Sequence, residues 1–241
     1  MEEIQQKIID FIRKETDGKS VVISLSGGID SALTASLAVK ALGKDKIQAL
    51  LLPSASNTRD EMKLAVLIAN LLEIKYKILD IEKILQVYLE NCDYFKTKLS
   101  VGNLKARIRM SLLYGLASTT KSMVVGTGNK SEIMIGYFTK YGDAGCDLLP
   151  IGDLYKTQVR ALAKYMNIPQ AIIDQAPTAG LWIGQTDENE IGILYEELDK
   201  ILEAMENKKN LSNFNEAEVQ LVQKYIKRTQ HKRKMPKICK I

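Results

Sequence analysis

Two short stretches combine glycines, hydroxyls and acids at spacings suited to a phosphorylated ligand. The first, SLSGGIDS (24–31), follows a β-branched apolar run and leads into a helix-like stretch. A strand, a glycine turn and a helix N-terminus in succession aim main-chain N–H groups outward, ready for phosphate oxygens. Gly27 and Gly28 let the backbone approach such a ligand without a Cβ in the way. Ser24, Ser26 and Ser31 add hydroxyl donors, and Asp30 supplies a carboxylate able to hold Mg2+. The same spacing admits a plainer reading, a tight turn with Asp30 or Ser31 as an ordinary helix cap. The second stretch, GTGNKSE (126–132), again sets glycines after an apolar run and an acid, Glu132, at a helix start, where it could serve the helix dipole alone. Neither stretch is the GxxxxGK[ST] phosphate loop.

The elements that must position these turns are legible as alternating apolar runs. Strands are expected over 20–25, 47–53, 76–80 and 122–127, with a further extended piece at 147–152. Helices are expected over 2–16, over 30–42 with Gly43 as the stop, from a Thr58/Glu61 capping box through 72, and over 100–118, where Leu104, Ile108, Leu112 and Leu116 recur regularly. This alternation predicts an α/β fold, a doubly wound parallel five-stranded sheet with helices on both faces, in one domain spanning 1–241. With strand order 3-2-1-4-5, ligands collect beyond the strand ends where the order reverses. The ends of the first and fourth strands meet there, so Asp30 and Glu132 converge on one site. A long loop is expected near 176–187, and its Trp182 suits either a closing lid or a packing anchor.

Composition narrows the setting. Apolar residues make up 46% and charged residues 26%, ordinary for a globular chain. No run is long and apolar enough for a membrane span, and the acidic, amphipathic N-terminus is unlike a secretory signal. Three scattered cysteines, Cys92, Cys146 and Cys239, make neither a disulfide framework nor a zinc site, which predicts a cytoplasmic protein. The last 19 residues hold eight Lys or Arg and no acid, so the net +5 is a property of this tail, since 26 basic and 29 acidic residues remain without it. The tail reads as a solvated helix end, a nucleic-acid arm or a phosphate-binding segment. His231, the single histidine, lies within it, which speaks against a Ser-His-Asp hydrolase.

SGGIDS resembles the SGGxDS loop of the ATP pyrophosphatases. Beyond it, YFTKYGD (137–143), DLLP (147–150), NLKARIRM (103–110), APTAGLWIGQTDENEIG (176–192) and TQHKRKMP (229–236) resemble ammonia-dependent NAD synthetases over most of the chain. The resemblance implies ATP-dependent amidation of nicotinic acid adenine dinucleotide with ammonia, giving NAD, AMP and pyrophosphate through an acyl adenylate. It implies that Ser26, Gly27, Gly28, Ser31, Thr127, Lys156 and Thr178 bind ATP and that Asp30 and Glu132 ligate Mg2+. Arg107, Tyr137, Lys140, Asp147, His231 and Lys232 would hold the dinucleotide. Asp143 would position or deprotonate ammonia, sharing the catalytic role with Lys156. A homodimer with the dinucleotide site across its interface is implied, without nucleic acid or membrane as partner. The first apolar run begins near residue 20, so no glutaminase domain is expected ahead of it.

Two departures weaken the adenine and ribose contacts. Leu51 stands where many bacterial relatives have Arg, and GTGNKSE replaces GTxxAAE. Rival readings are surface charge for Arg107 and Arg109, a loop ion pair for Lys140 and Asp143, a tRNA-modifying pyrophosphatase, and a non-catalytic nucleotide sensor.

Overall fold

The computed structural model describes residues 1–240. Four short parallel strands, β1 (Val21–Ser24), β2 (Ile47–Leu51), β3 (Lys75–Ile78) and β4 (Met123–Val125), form a sheet of order β3-β2-β1-β4. The expected fifth strand is not formed. The 147–152 segment joins the outer edge of β4 through a single parallel bridge, Val125 to Leu148, and the Gly126 N–H donating to the Leu148 carbonyl. Asp147 then turns back on the Val124 N–H, which ends the pairing after one bridge.

Side chains alternate across the strands and so feed two cores. Val21 and Ile23 of β1 face a cluster shared with α1 (Glu2–Thr16), α2 (Ile29–Leu42), α3 (Arg59–Leu71), α7 (Lys156–Tyr165) and α8 (Gln170–Ile173). Val22, Leu50 and Val124 face α4 (Glu82–Asn91) and α5 (Lys98–Thr120) on the opposite side. The expected α5 stripe holds at Leu104 and Ile108 and then shifts, with Leu113 and Ala117 buried rather than Leu112 and Leu116, because a strict four-residue spacing drifts about 40° around the helix at each step. A third cluster joins α6 (Lys130–Ile135), α9 (Asp187–Ile191), α10 (Tyr195–Glu206) and α11 (Glu216–Arg228) outboard of β4. β3 lies at the edge and presents Lys75 and Lys77, charges that discourage pairing with another chain.

The chain steps outward from β1 to β3 and then crosses back through α4 and α5 to β4, so the order reverses between β1 and β4. That crevice is where the two glycine turns meet. Among the described residues no helix is long and apolar enough to cross a membrane.

Candidate active site

β1 ends at Ser24, and the chain turns through Ser26, Gly27 and Gly28 into α2. Gly27 has φ +89, and a Cβ there would lie 2.3 Å from the Glu61 carbonyl oxygen, so the back of the turn rests on α3 with no room for a side chain. The hydroxyls stiffen the turn. Ser31 donates to the Gly28 carbonyl at 2.9 Å and accepts the Ser26 N–H at 3.3 Å, while Ser26 Oγ accepts the Gly28 N–H at 3.2 Å. Gly28 is the N-cap and offers no side chain, so the first turn of α2 opens toward the crevice with its amide donors uncapped.

The turn after β4 is built otherwise. A Cβ on Gly126 would lie 2.5 Å from Cys146 Sγ, so the bridge segment presses against it. Asn129 caps α6 by accepting the Glu132 N–H at 3.0 Å, and Glu132 returns the contact by accepting the Asn129 N–H at 3.2 Å. The buried Asn129 amide also donates to Asp30 Oδ1 at 3.0 Å, tying the second turn to the first. Between the two acids stands Lys156, 2% exposed, its ammonium bound to Asp30 and 3.6 Å from Glu132. Asp199 of α10 fixes this lysine from behind. It accepts the Ser131 hydroxyl and, at 2.8 Å each, the N–H and hydroxyl of Thr157, while the Lys156 N–H donates to Ser131 Oγ at 2.9 Å.

Charge at this end is unbalanced. Asp187, the first residue of α9, accepts the Tyr195 hydroxyl on Oδ2 at 3.1 Å, but its sealed Oδ1 has no partner. Burial raises the pKa of Glu132, with Asp30 adding to the rise and Lys156 opposing it. Burial raises Asp187 as well. For Lys156, burial would lower the pKa, but Asp30 and Glu132 outweigh it and the value is raised. Three carboxylates against one ammonium, with an orphaned oxygen among them, is a donor set that accepts a further cation. Among the described residues no three such groups enclose a metal by themselves. That suits Mg2+, which is commonly held by one or two carboxylates together with substrate phosphates.

Both turns open on a cavity of about 670 Å³. The 176–186 segment roofs it. Lys105 Nζ donates to the Leu181 carbonyl at 2.9 Å and to Ser56 Oγ at 3.0 Å, and Ser56 donates to the Gly180 carbonyl at 2.8 Å. Leu181 and Trp182 pack over Gly102 of α5, where a Cβ would sit 3.1 Å from Leu181. Trp182 is therefore both packing anchor and part of the roof. Arg109, Met110, Asp143 and Cys146 line the same cavity as Lys156.

The profile of the NAD synthase family matches residues 1–236. The chain belongs to this family. An NH(3)-dependent NAD(+) synthetase of Methanocaldococcus jannaschii is 46% identical over an alignment covering 98% of this chain and 96% of that protein. Among solved structures, NMN synthetase from Francisella tularensis superposes with a TM-score of 0.92 at 37% identity, covering 100% of this chain and 98% of that one. NH3-dependent NAD synthetase from Campylobacter jejuni gives 0.86 at 36% identity, covering 99% and 98%.

Most of the residues that carry this NAD synthase resemblance reach the cavity. Ser26, Gly28, Asp30, Ser31, Thr127, Glu132, Tyr137, Asp143, Lys156, Thr178, His231 and Lys232 all lie on its wall. Four do not. Gly27 is turned toward α3 and shapes the loop from behind. Arg107 is exposed on the outer face of α5, where it donates to the Lys140 carbonyl at 3.3 Å and borders a separate hollow of about 120 Å³. Lys140 donates to the His231 carbonyl at 2.9 Å. Asp147 has both oxygens engaged, by the Val124 N–H at 2.7 Å and the Tyr114 hydroxyl at 2.9 Å. Lys140 and Asp143 do not form the loop ion pair, since Asp143 instead accepts the Thr139 N–H at 2.9 Å. The basic tail folds back as a short turn. Lys232 donates to the Gly136 carbonyl at 2.8 Å and Arg233 to the Ile226 carbonyl at 2.8 Å.

Sequence reasoning missed Asn129, Asp187, Asp199 and the inward turn of Arg109. An Asn three residues before Glu132 is a capping signal that was there to be used. Asp187 opens an acid-rich stretch, DENE, that looks like any solvated helix start.

Proposed function

We propose that this chain amidates nicotinic acid adenine dinucleotide with ammonia and ATP, releasing NAD, AMP and pyrophosphate. The convergence of Asp30 and Glu132 on Lys156, beside an uncapped helix N-terminus on one cavity wall, carries this reading. A carboxylate is a poor electrophile, so activation comes first. One carboxylate oxygen attacks the α-phosphorus, the bond to pyrophosphate breaks and an acyl adenylate forms. The ammonia lone pair then attacks the carbonyl carbon, the bond to AMP breaks and the nitrogen gives up a proton.

Each part of the site has a task in this scheme. Asp30 and Glu132 would hold Mg2+, which when bound neutralises charge on the phosphates. The open amides of α2 with Ser26, Gly28 and Ser31 receive the departing phosphates, and Lys156, Thr127 and Thr178 meet the nucleotide from the facing walls. Gly27 serves by holding that loop in shape. Asp143 positions ammonia or takes its proton, and Tyr137, His231 and Lys232 hold the dinucleotide. Arg107, Lys140 and Asp147, outside the cavity, fit a site completed by a second copy in a homodimer. Exposed Tyr88, which borders the same hollow as Arg107, gives such a contact apolar surface. The reading takes free or delivered ammonia as the nitrogen donor.

The test is turnover with ATP, ammonium and the acid dinucleotide. NAD and AMP should appear in equal amounts, and Asp30→Ala and Glu132→Ala should abolish both. ATP binding without AMP formation would make the chain a nucleotide sensor instead. The higher TM-score to an NMN synthetase favours one second reading, amidation of nicotinic acid mononucleotide. Offering that mononucleotide beside the dinucleotide decides between them, and glutamine in place of ammonium should support no turnover.

A further inference from the structure

α5 carries two arginines on either side of Ile108, and two helical steps turn them about 200° apart. Arg107 faces outward. Arg109 is partly buried and lies on the cavity wall. Its Nε donates to the Leu52 carbonyl at 2.9 Å, and its Nη2 to Asn57 Oδ1 at 3.1 Å and Ser54 Oγ at 3.4 Å, all of them neutral acceptors. Asp143 and Glu61 act on it through space, yet among the described residues no carboxylate reaches ion-pair distance. Among the described residues Nη1 has no hydrogen-bond partner, and it is not among the sealed polar atoms, so it keeps some exposure on a residue that lines the cavity.

An unpaired cation in such a place is unfavourable unless an anion completes it. Burial shows the cost by lowering the guanidinium pKa to about 10. Elsewhere on the wall of the same cavity the need is reversed, with Asp30, Glu132 and Asp187 in excess of the single Lys156. A nucleotide whose outer phosphates lie near the open amides of α2 would keep its α-phosphate, and the group that attacks it, within the cavity that Arg109 also lines.

We propose that Arg109 Nη1 receives an oxyanion of the reacting pair, either the carboxylate to be amidated or the α-phosphate to which it becomes joined. This rests on the amidation reading above. The two sources differ in what they do for selectivity. The acid carries a charge that the amide product lacks, so a carboxylate contact would favour acid over NAD, whereas an α-phosphate contact would not distinguish them.

Calorimetric titration of the full chain with three probes tests it: nicotinic acid adenine dinucleotide, NAD, and a non-hydrolysable ATP analogue with Mg2+. Arg109→Gln should weaken one of the two anions about tenfold, the size of a charge-assisted hydrogen bond, with NAD unchanged and Arg109→Lys keeping part of the affinity. Loss confined to the acid dinucleotide assigns the carboxylate, and loss confined to the ATP analogue assigns the α-phosphate. If neither weakens, or all three weaken alike, Arg109 merely holds the 52–57 loop and the inference is overturned. Should Arg109→Gln melt below the assay temperature, Arg109→Lys is read against the same outcomes. Turnover by the unaltered chain is the control, since its failure would refute the amidation reading, while normal turnover with unchanged variant binding refutes this inference alone.

Discussion

The two glycine turns that face each other across the β1–β4 crevice begin alike and end differently. Both follow a strand and precede a helix, but α2 starts at a glycine that caps nothing, whereas α6 starts at Asn129 and is closed by its own Glu132. The first turn therefore leaves amide donors for a ligand. The second engages the Lys130 and Glu132 amides within the protein and presents a carboxylate instead. One is built to receive anionic oxygens and the other to gather cations, and Lys156 stands where they meet. The lesson is that a strand–glycine–helix pattern is chemically ambiguous until the cap is known.

The largest expected effect strikes the meeting point. Lys156→Ala leaves Asp30 and Glu132 facing each other without their buried cation, and chemical denaturation should show a loss of about 3 kcal/mol or more. Gly27→Ala comes next, combining a positive φ with a Cβ 2.3 Å from a backbone oxygen. A loss of about 2 to 3 kcal/mol is expected in the same measurement. Equal stability of this variant would show that the first turn is less rigid than its contacts imply.

Asn129→Ala should cost about 1 to 2 kcal/mol, because the cap of α6 and the link to Asp30 go together. Asp187→Asn addresses the surplus negative charge through pH. Burial holds the Asp187 carboxyl above its ordinary 3.8, so its contribution to stability is fully present below pH 3.8 and is lost as the pH rises through the folded value. Thermal melts without nucleotide should show that decline in the unaltered chain, and the Asn variant should show a smaller one, the remainder coming from Glu132. Gly128→Ala is the small-effect counterpart of Gly27→Ala. Its Cβ would meet Leu149 at an ordinary 3.6 Å and φ is not positive, so a change within about 0.5 kcal/mol is expected.

The pattern of apolar runs was enough for the four parallel strands, and the assumed order placed Asp30 near Glu132, where the observed β3-β2-β1-β4 order puts them. The Thr58/Glu61 capping box was equally legible and is present as expected, with the Glu61 N–H bound to Thr58 at 3.1 Å. These features are local: a periodicity, a cap or a glycine follows from neighbours a few residues away. The fifth strand failed because the Asp147 side chain takes the Val124 N–H that a longer ladder would use, a contact across the chain.

What the sequence determined by itself was thus the list of elements and the glycines and acids at their ends. The tertiary structure decided which charges meet. Lys156 finds Asp30 across 126 residues, Asp187 comes to rest in the same acidic pocket with one oxygen unpaired, and of two nearly adjacent arginines one is turned inward and the other left in solvent. Charge compensation in a low-dielectric interior depends on distance through space and on burial, and neither is written in the spacing of residues along the chain.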